Sequence, residues 1–123
     1  MKINHLNLAV TDPVAAQQFL VKYFGLKPHG KPNATMVFLT DDNGSLLSLM
    51  IPKLGGETEV RYPAIFHVGF MQESEERVNE INQWMKADGL DVPAPARQHG
   101  SWSFYIDAPG GFTIEVQHSR MLD

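Results

Sequence analysis

The sequence predicts an α+β fold in which one strand–helix–strand–turn–strand module occurs twice, with one more short strand in each irregular stretch. Three observations predict it. Short segments alternate apolar and polar residues with period two, and each half holds one helix-period apolar stripe. The landmarks also repeat at a nearly constant offset. His5 and His67 lie 62 residues apart, and the helix-stopping Gly25 and Gly89 lie 64 apart. Aligning Asn43-Gly44 with Gly110-Gly111 sets Ser48 against Glu115 at an offset of 67. That drift suits an internal duplication with small loop changes. The expected division is module 1 at about 1–52, a linker at about 53–63 and module 2 at about 64–118, all within one domain spanning 1–123.

Ile3 to Val10 reads as a half-buried strand, with Leu6, Leu8 and Val10 on one face and Ile3, His5, Asn7 and Ala9 on the other. Asp12 and Pro13 are the N-cap and first position of a helix whose stripe is Ala16, Phe19, Leu20, Tyr23 and Phe24, and Gly25 stops it. Leu26 to Asn33 is irregular. Thr35–Thr40 and Leu46–Ile51 are strands joined by the Asp41–Gly44 turn. After the linker, Phe66, Val68 and Phe70 alternate with His67, Gly69 and Met71. A helix begins near Ser74 with Val78, Ile81, Trp84 and Met85 on one side. Leu90 to Gly100 is irregular. Ser101–Asp107 and Phe112–His118 are the closing strands around the Ala108–Gly111 turn.

A chain of 123 residues, 43% hydrophobic and 20% charged, reads as one ordinary globular domain. A net charge of −4 argues against nucleic-acid and anionic-membrane partners. Without cysteine there is no disulfide framework, thiolate metal site or cysteine nucleophile. No apolar run reaches signal-peptide or membrane-spanning length, so a cytoplasmic location is expected.

The apolar strand faces need the helices as cover, which leaves the histidine faces open. If equivalent strands of two copies meet about a pseudo-twofold axis, His5 and His67 converge, and Glu115 lies on the same kind of face. Two imidazoles and one carboxylate would make a three-ligand site for Fe, Mn, Ni or Zn, with positions open for substrate. A lone strand histidine is more often a surface residue; the matched placement is what favours ligation. His29 and His99 fall in loops and read as structural or solvent-exposed, and His118 points away from Glu115. Tyr105 is the candidate substrate contact. It shares parity with Ser103 and Asp107, with Trp102 and Phe104 as rivals on the opposite parity. Arg97 and His99 are further candidates, for an anion or as a base.

Three segments carry a family resemblance: Ile3-Asn4-His5-Leu6-Asn7-Leu8-Ala9-Val10 followed by Asp12, Phe66-His67-Val68-Gly69-Phe70, and Phe104-Tyr105-Ile106-Asp107-Ala108-Pro109-Gly110-Gly111-Phe112-Thr113-Ile114-Glu115. Together they resemble the vicinal oxygen chelate superfamily, which includes glyoxalase I, fosfomycin-resistance proteins, extradiol dioxygenases and bleomycin-resistance proteins. The resemblance implies two βαβββ modules in a cup-shaped mixed sheet with helices outside, a divalent metal on His5, His67 and Glu115, Tyr105 in the site, and a homodimer. Ser48 stands where glyoxalase I would place a fourth, glutamate ligand. Two functions therefore compete. One is a metal enzyme acting as a Lewis acid on a small oxygen-chelating substrate. The other is a metal-free module binding a drug-like molecule.

Overall fold

The computed structural model describes residues 1–120. The chain falls into two compact units, one comprising 1–64 with 108–112, the other 65–107 with 113–120.

In the first unit β1 (His5–Ala9) is followed by α1 (Pro13–Phe24), β2 (Lys27–His29), β3 (Met36–Thr40) and β4 (Leu46–Met50). The sheet order is β1-β4-β3-β2, with β1 parallel to β4 and the other pairs antiparallel. Its local logic is that of the sequence. Asp12 accepts the Ala15 N–H at 3.1 Å and Pro13 occupies the first turn. Gly25 closes the helix at φ 66°, a left-handed conformation that a Cβ would penalise. Ala16, Phe19, Leu20 and Tyr23 are buried where α1 packs on β2, β3 and β4. Beneath them lie Leu8, Val37, Leu39 and Leu49. The turn between the last two strands of the chain also belongs here. Gly110 at φ 104° accepts the Thr11 N–H at 3.0 Å, and a Cβ at this residue would stand 2.9 Å from the Val10 Cβ.

The second unit repeats the plan with β5 (Val68–Met71), α2 (Glu75–Ala87), β6 (Ala96–Gln98), β7 (Ser101–Ala108) and β8 (Phe112–Ser119), in the order β5-β8-β7-β6. Ser74 caps α2 by accepting the Arg77 N–H at 3.0 Å. Val78, Ile81 and Met85 join Phe104, Ile106, Ile114 and Val116 as buried residues. Both units are βαβββ modules, and the added short strands are β2 and β6.

One local expectation needs correction. Trp84 is exposed, and Asn82 is buried in its stead. At 3.6 residues per turn Trp84 lies roughly a quarter of a turn to one side of the centre of the Val78/Ile81/Met85 stripe, whereas Asn82 lies nearer to it on the other side. Asn82 donates to the Pro93 carbonyl at 2.7 Å. The segment between the modules has structure of its own. Pro52–Gly55 forms a 3₁₀ turn, and the Tyr62 hydroxyl both donates to the Ala9 carbonyl and accepts the Ala9 N–H, each at 2.8 Å.

Candidate functional site

The second unit carries the candidate residues His67, Tyr105 and Glu115. Alternation along β8 sends Ile114 and Val116 to the core, fully buried, and Thr113, Glu115 and Gln117 to the opposite face. Glu115 is only 6% exposed. Across the parallel ladder it pairs with Gly69. A Cβ on residue 69 would stand 3.0 Å from Gln117 Nε2 and 4.0 Å from Glu115 Oε1, so the absent side chain leaves a slot beside the carboxylate.

His67 immediately precedes β5 and holds its Nε2 3.4 Å from Glu115 Oε1. Its Nδ1 is 3.0 Å from the Ile65 carbonyl oxygen. A carbonyl only accepts, so Nδ1 carries the proton, and Nε2 of the neutral ring turns a bare lone pair toward a carboxylate. Two acceptors so placed want a proton or cation between them. Metal-binding histidines are held in this way, with the remote ring N–H tied to a backbone carbonyl.

Tyr105 meets His67 edge-on, with ring centroids 5.2 Å apart at 88°. Its hydroxyl is hydrogen-bonded to Glu115. Burial first, then the Glu115 charge and that hydrogen bond, raise the phenol above its ordinary value, so it remains a proton donor. The parity left open by the sequence is thereby settled. Phe104 is buried, and Trp102 turns toward α2, its Nε1 donating to Asn79 Oδ1 at 2.8 Å. Arg97 is likewise occupied, stacked on Trp102 at 5.3 Å and paired with Glu75.

His67, Tyr105 and Glu115 line a cavity of about 470 Å³ whose wall is completed by Met71, His99, Ser101, Gln117 and Ser119. Of these, Ser101, Gln117 and Ser119 went unread as site residues in the sequence, while His99 was a candidate for an anion or as a base. Parity was the available signal for two of them, because Gln117 shares the face of Glu115 and Ser101 that of Tyr105. His99, expected in a loop, occupies with Gly100 the two-residue turn between β6 and β7. At φ 52° it is the one non-glycine residue with positive φ among those described. His118 is directed elsewhere, with Nδ1 2.9 Å from the Gln72 carbonyl.

His5 belongs to the first unit. It is exposed, and its Nδ1 lies 3.0 Å from Asn4 Oδ1, so here too an acceptor engages Nδ1 and leaves Nε2 bare. Ser48, the register equivalent of Glu115, is buried and donates its hydroxyl to Asn7 Oδ1 at 2.7 Å. Among the described residues no group of three His, Cys, Asp or Glu side chains could hold a metal ion. The pair brought together is His67 and Glu115. No helix among these residues is long and apolar enough to cross a membrane.

Residues 2–116 match the family model of the Glyoxalase/Bleomycin resistance protein/Dioxygenase superfamily. A 2,2',3-trihydroxybiphenyl dioxygenase from Sphingomonas paucimobilis is 30% identical over 121 residues, and the chain spans about 40% of that relative's length. A solved structure described as a possible glyoxalase from Bacillus cereus is 50% identical, with a TM-score of 0.84 over 95% of this chain and 98% of that one. A lactoylglutathione lyase from Agrobacterium tumefaciens is 26% identical, with a TM-score of 0.76 over 95% and 92%.

Proposed function

This chain belongs to the Glyoxalase/Bleomycin resistance protein/Dioxygenase superfamily, and on that premise we propose that it is a divalent-metal enzyme acting on a small substrate that presents two neighbouring oxygens. The observation that carries the reading is the His67–Glu115 pair: an imidazole lone pair and a buried carboxylate face each other at 3.4 Å, with the far ring nitrogen engaged by a carbonyl. That donor set fits a divalent cation of the Fe, Mn, Ni or Zn class. His67 and Glu115 would hold it, and His5, whose Nδ1 is also engaged by an acceptor, is the third ligand we assign. A bound ion of this kind supplies Lewis-acid polarisation of substrate oxygen.

The chain's own residues do the rest. Gly69 leaves the approach to Glu115 open. Tyr105 donates to Glu115 and holds that carboxylate in one orientation. The raised pKa keeps that single proton in place at neutral pH, so a substrate oxygen would receive it only in exchange for Glu115. We read the two units as modules of one domain. Because β1 and β5 each end a sheet, we also assign a homodimer, which would cover such edges.

The competing reading is a metal-free small-molecule binder. It is favoured by the absence, among the described residues, of an assembled three-ligand group. Metal content of the purified protein beside His67→Ala separates the two. Near-stoichiometric divalent metal that is lost in the variant supports the enzyme. Metal-free protein whose ligand binding survives His67→Ala supports the binder.

A further inference from the structure

We propose that Gln117 is a hydrogen-bond donor that receives a carbonyl oxygen of the substrate beside the His67–Glu115 pair, so that the cavity selects small neutral hydroxycarbonyl compounds. The proposal rests on reading the second-unit cavity as the substrate site.

The argument begins with a fixed amide. Ser101, buried at 6% exposure, donates its hydroxyl to Gln117 Oε1 at 3.0 Å. That bond commits the carbonyl end of the amide to Ser101 and turns Nε2 the other way, over Gly69. Nε2 has no acceptor among the described residues, yet it stands in a cavity wall. A donor so placed gains most from an incoming oxygen. Glu115 Oε1 lies 4.0 Å from the point where a Gly69 Cβ would be, and Gln117 Nε2 lies 3.0 Å from it. A donor and a metal-ligating acid thus flank one glycine slot. Among the described residues no Lys or Arg lines the wall, so at Gln117 the added oxygen meets a neutral dipole. That favours a carbonyl over a phosphate or phosphonate.

Hydroxyacetone and 1,2-propanediol are matched probes, differing only in the carbonyl. Titration of each into isotope-labelled protein, followed by NMR, should show hydroxyacetone binding about threefold to tenfold more tightly, the range of one neutral hydrogen bond. The Gln117 side-chain NH₂ signal should shift with it. Gln117→Leu should erase the preference, and Ser101→Ala, which releases the amide, should shrink it. A preference unchanged in Gln117→Leu overturns the proposal. So does an NH₂ signal that stays still in wild-type protein saturated with hydroxyacetone, a readout that does not depend on the variant folding. Zn²⁺ titration of the same wild-type sample tests the metal reading independently. Failure to take up Zn²⁺ defeats that reading while leaving the carbonyl preference to stand or fall on its own.

Discussion

The two units put different chemistry at equivalent positions of their sheets. In the first, β1 and β4 pair Asn7 with Ser48; in the second, β5 and β8 pair Gly69 with Glu115. The registers correspond, yet the first pair is closed, a hydroxyl donating to an amide oxygen at 2.7 Å. The second pair is open, with a buried acid beside a residue that has no side chain. Ala9 and Met71 differ in the same sense. Tyr62 straps Ala9 down, whereas Met71 is exposed in the cavity wall. A duplicated backbone therefore leaves functional asymmetry to a few cross-strand pairs. At this position one copy's polar groups satisfy one another, and the other copy's remain available to the site we propose.

The comparison can be broken most severely by giving the second unit the residue of the first. Glu115→Ser should lower divalent-metal affinity by more than about a hundredfold, since even outer-shell partners of ligands are worth 10–100-fold. Isothermal titration with Zn²⁺ reads this directly, and an unchanged affinity would move the site elsewhere. Gly69→Asn fills the slot. Its Cβ would meet Gln117 Nε2 at 3.0 Å, so we expect a stability loss of about 1–3 kcal/mol in urea together with weaker ligand binding.

Tyr62→Phe loosens the first unit alone. Loss of the two Ala9 hydrogen bonds should cost about 1–2 kcal/mol and leave metal affinity intact. Burial, against the lowering effect of the Ala9 hydrogen bond, raises the Tyr62 pKa in the folded state. Its contribution to stability is therefore full below the unfolded tyrosine value of about 10 and fades as pH rises through the higher folded value. Tyr105 titrates in the same direction, so the Tyr62→Phe difference isolates the Tyr62 share. Ser48→Ala has the smallest expected effect, about 1 kcal/mol or less from one hydrogen bond, with no change in metal affinity.

Much of this was legible in the sequence because it is local. Asp12, Pro13 and Gly25 bound α1 by chemistry confined to a few residues, and strand parity alone put Glu115 opposite Ile114 and Val116. The repeat offsets paired Ser48 with Glu115, and the registers agree. What was not legible depends on contacts distant in sequence. Nothing near Tyr62 announces a clamp on Ala9, 53 residues away. The choice between Tyr105 and Trp102 could not be made from alternation, since both parities of β7 carry aromatics. It required the helix side to be known, through Trp102 and Asn79. Gln117 was readable by parity but chemically mute until Ser101 fixed its amide.

The most direct test of the central claim is the ¹⁵N spectrum of the His67 ring, recorded before and after Zn²⁺ is added. The account predicts a protonated Nδ1 and a bare Nε2 in the neutral ring, with the Nε2 resonance shifting as one equivalent of metal binds. A proton resident on Nε2, or a ring spectrum indifferent to Zn²⁺, would contradict it.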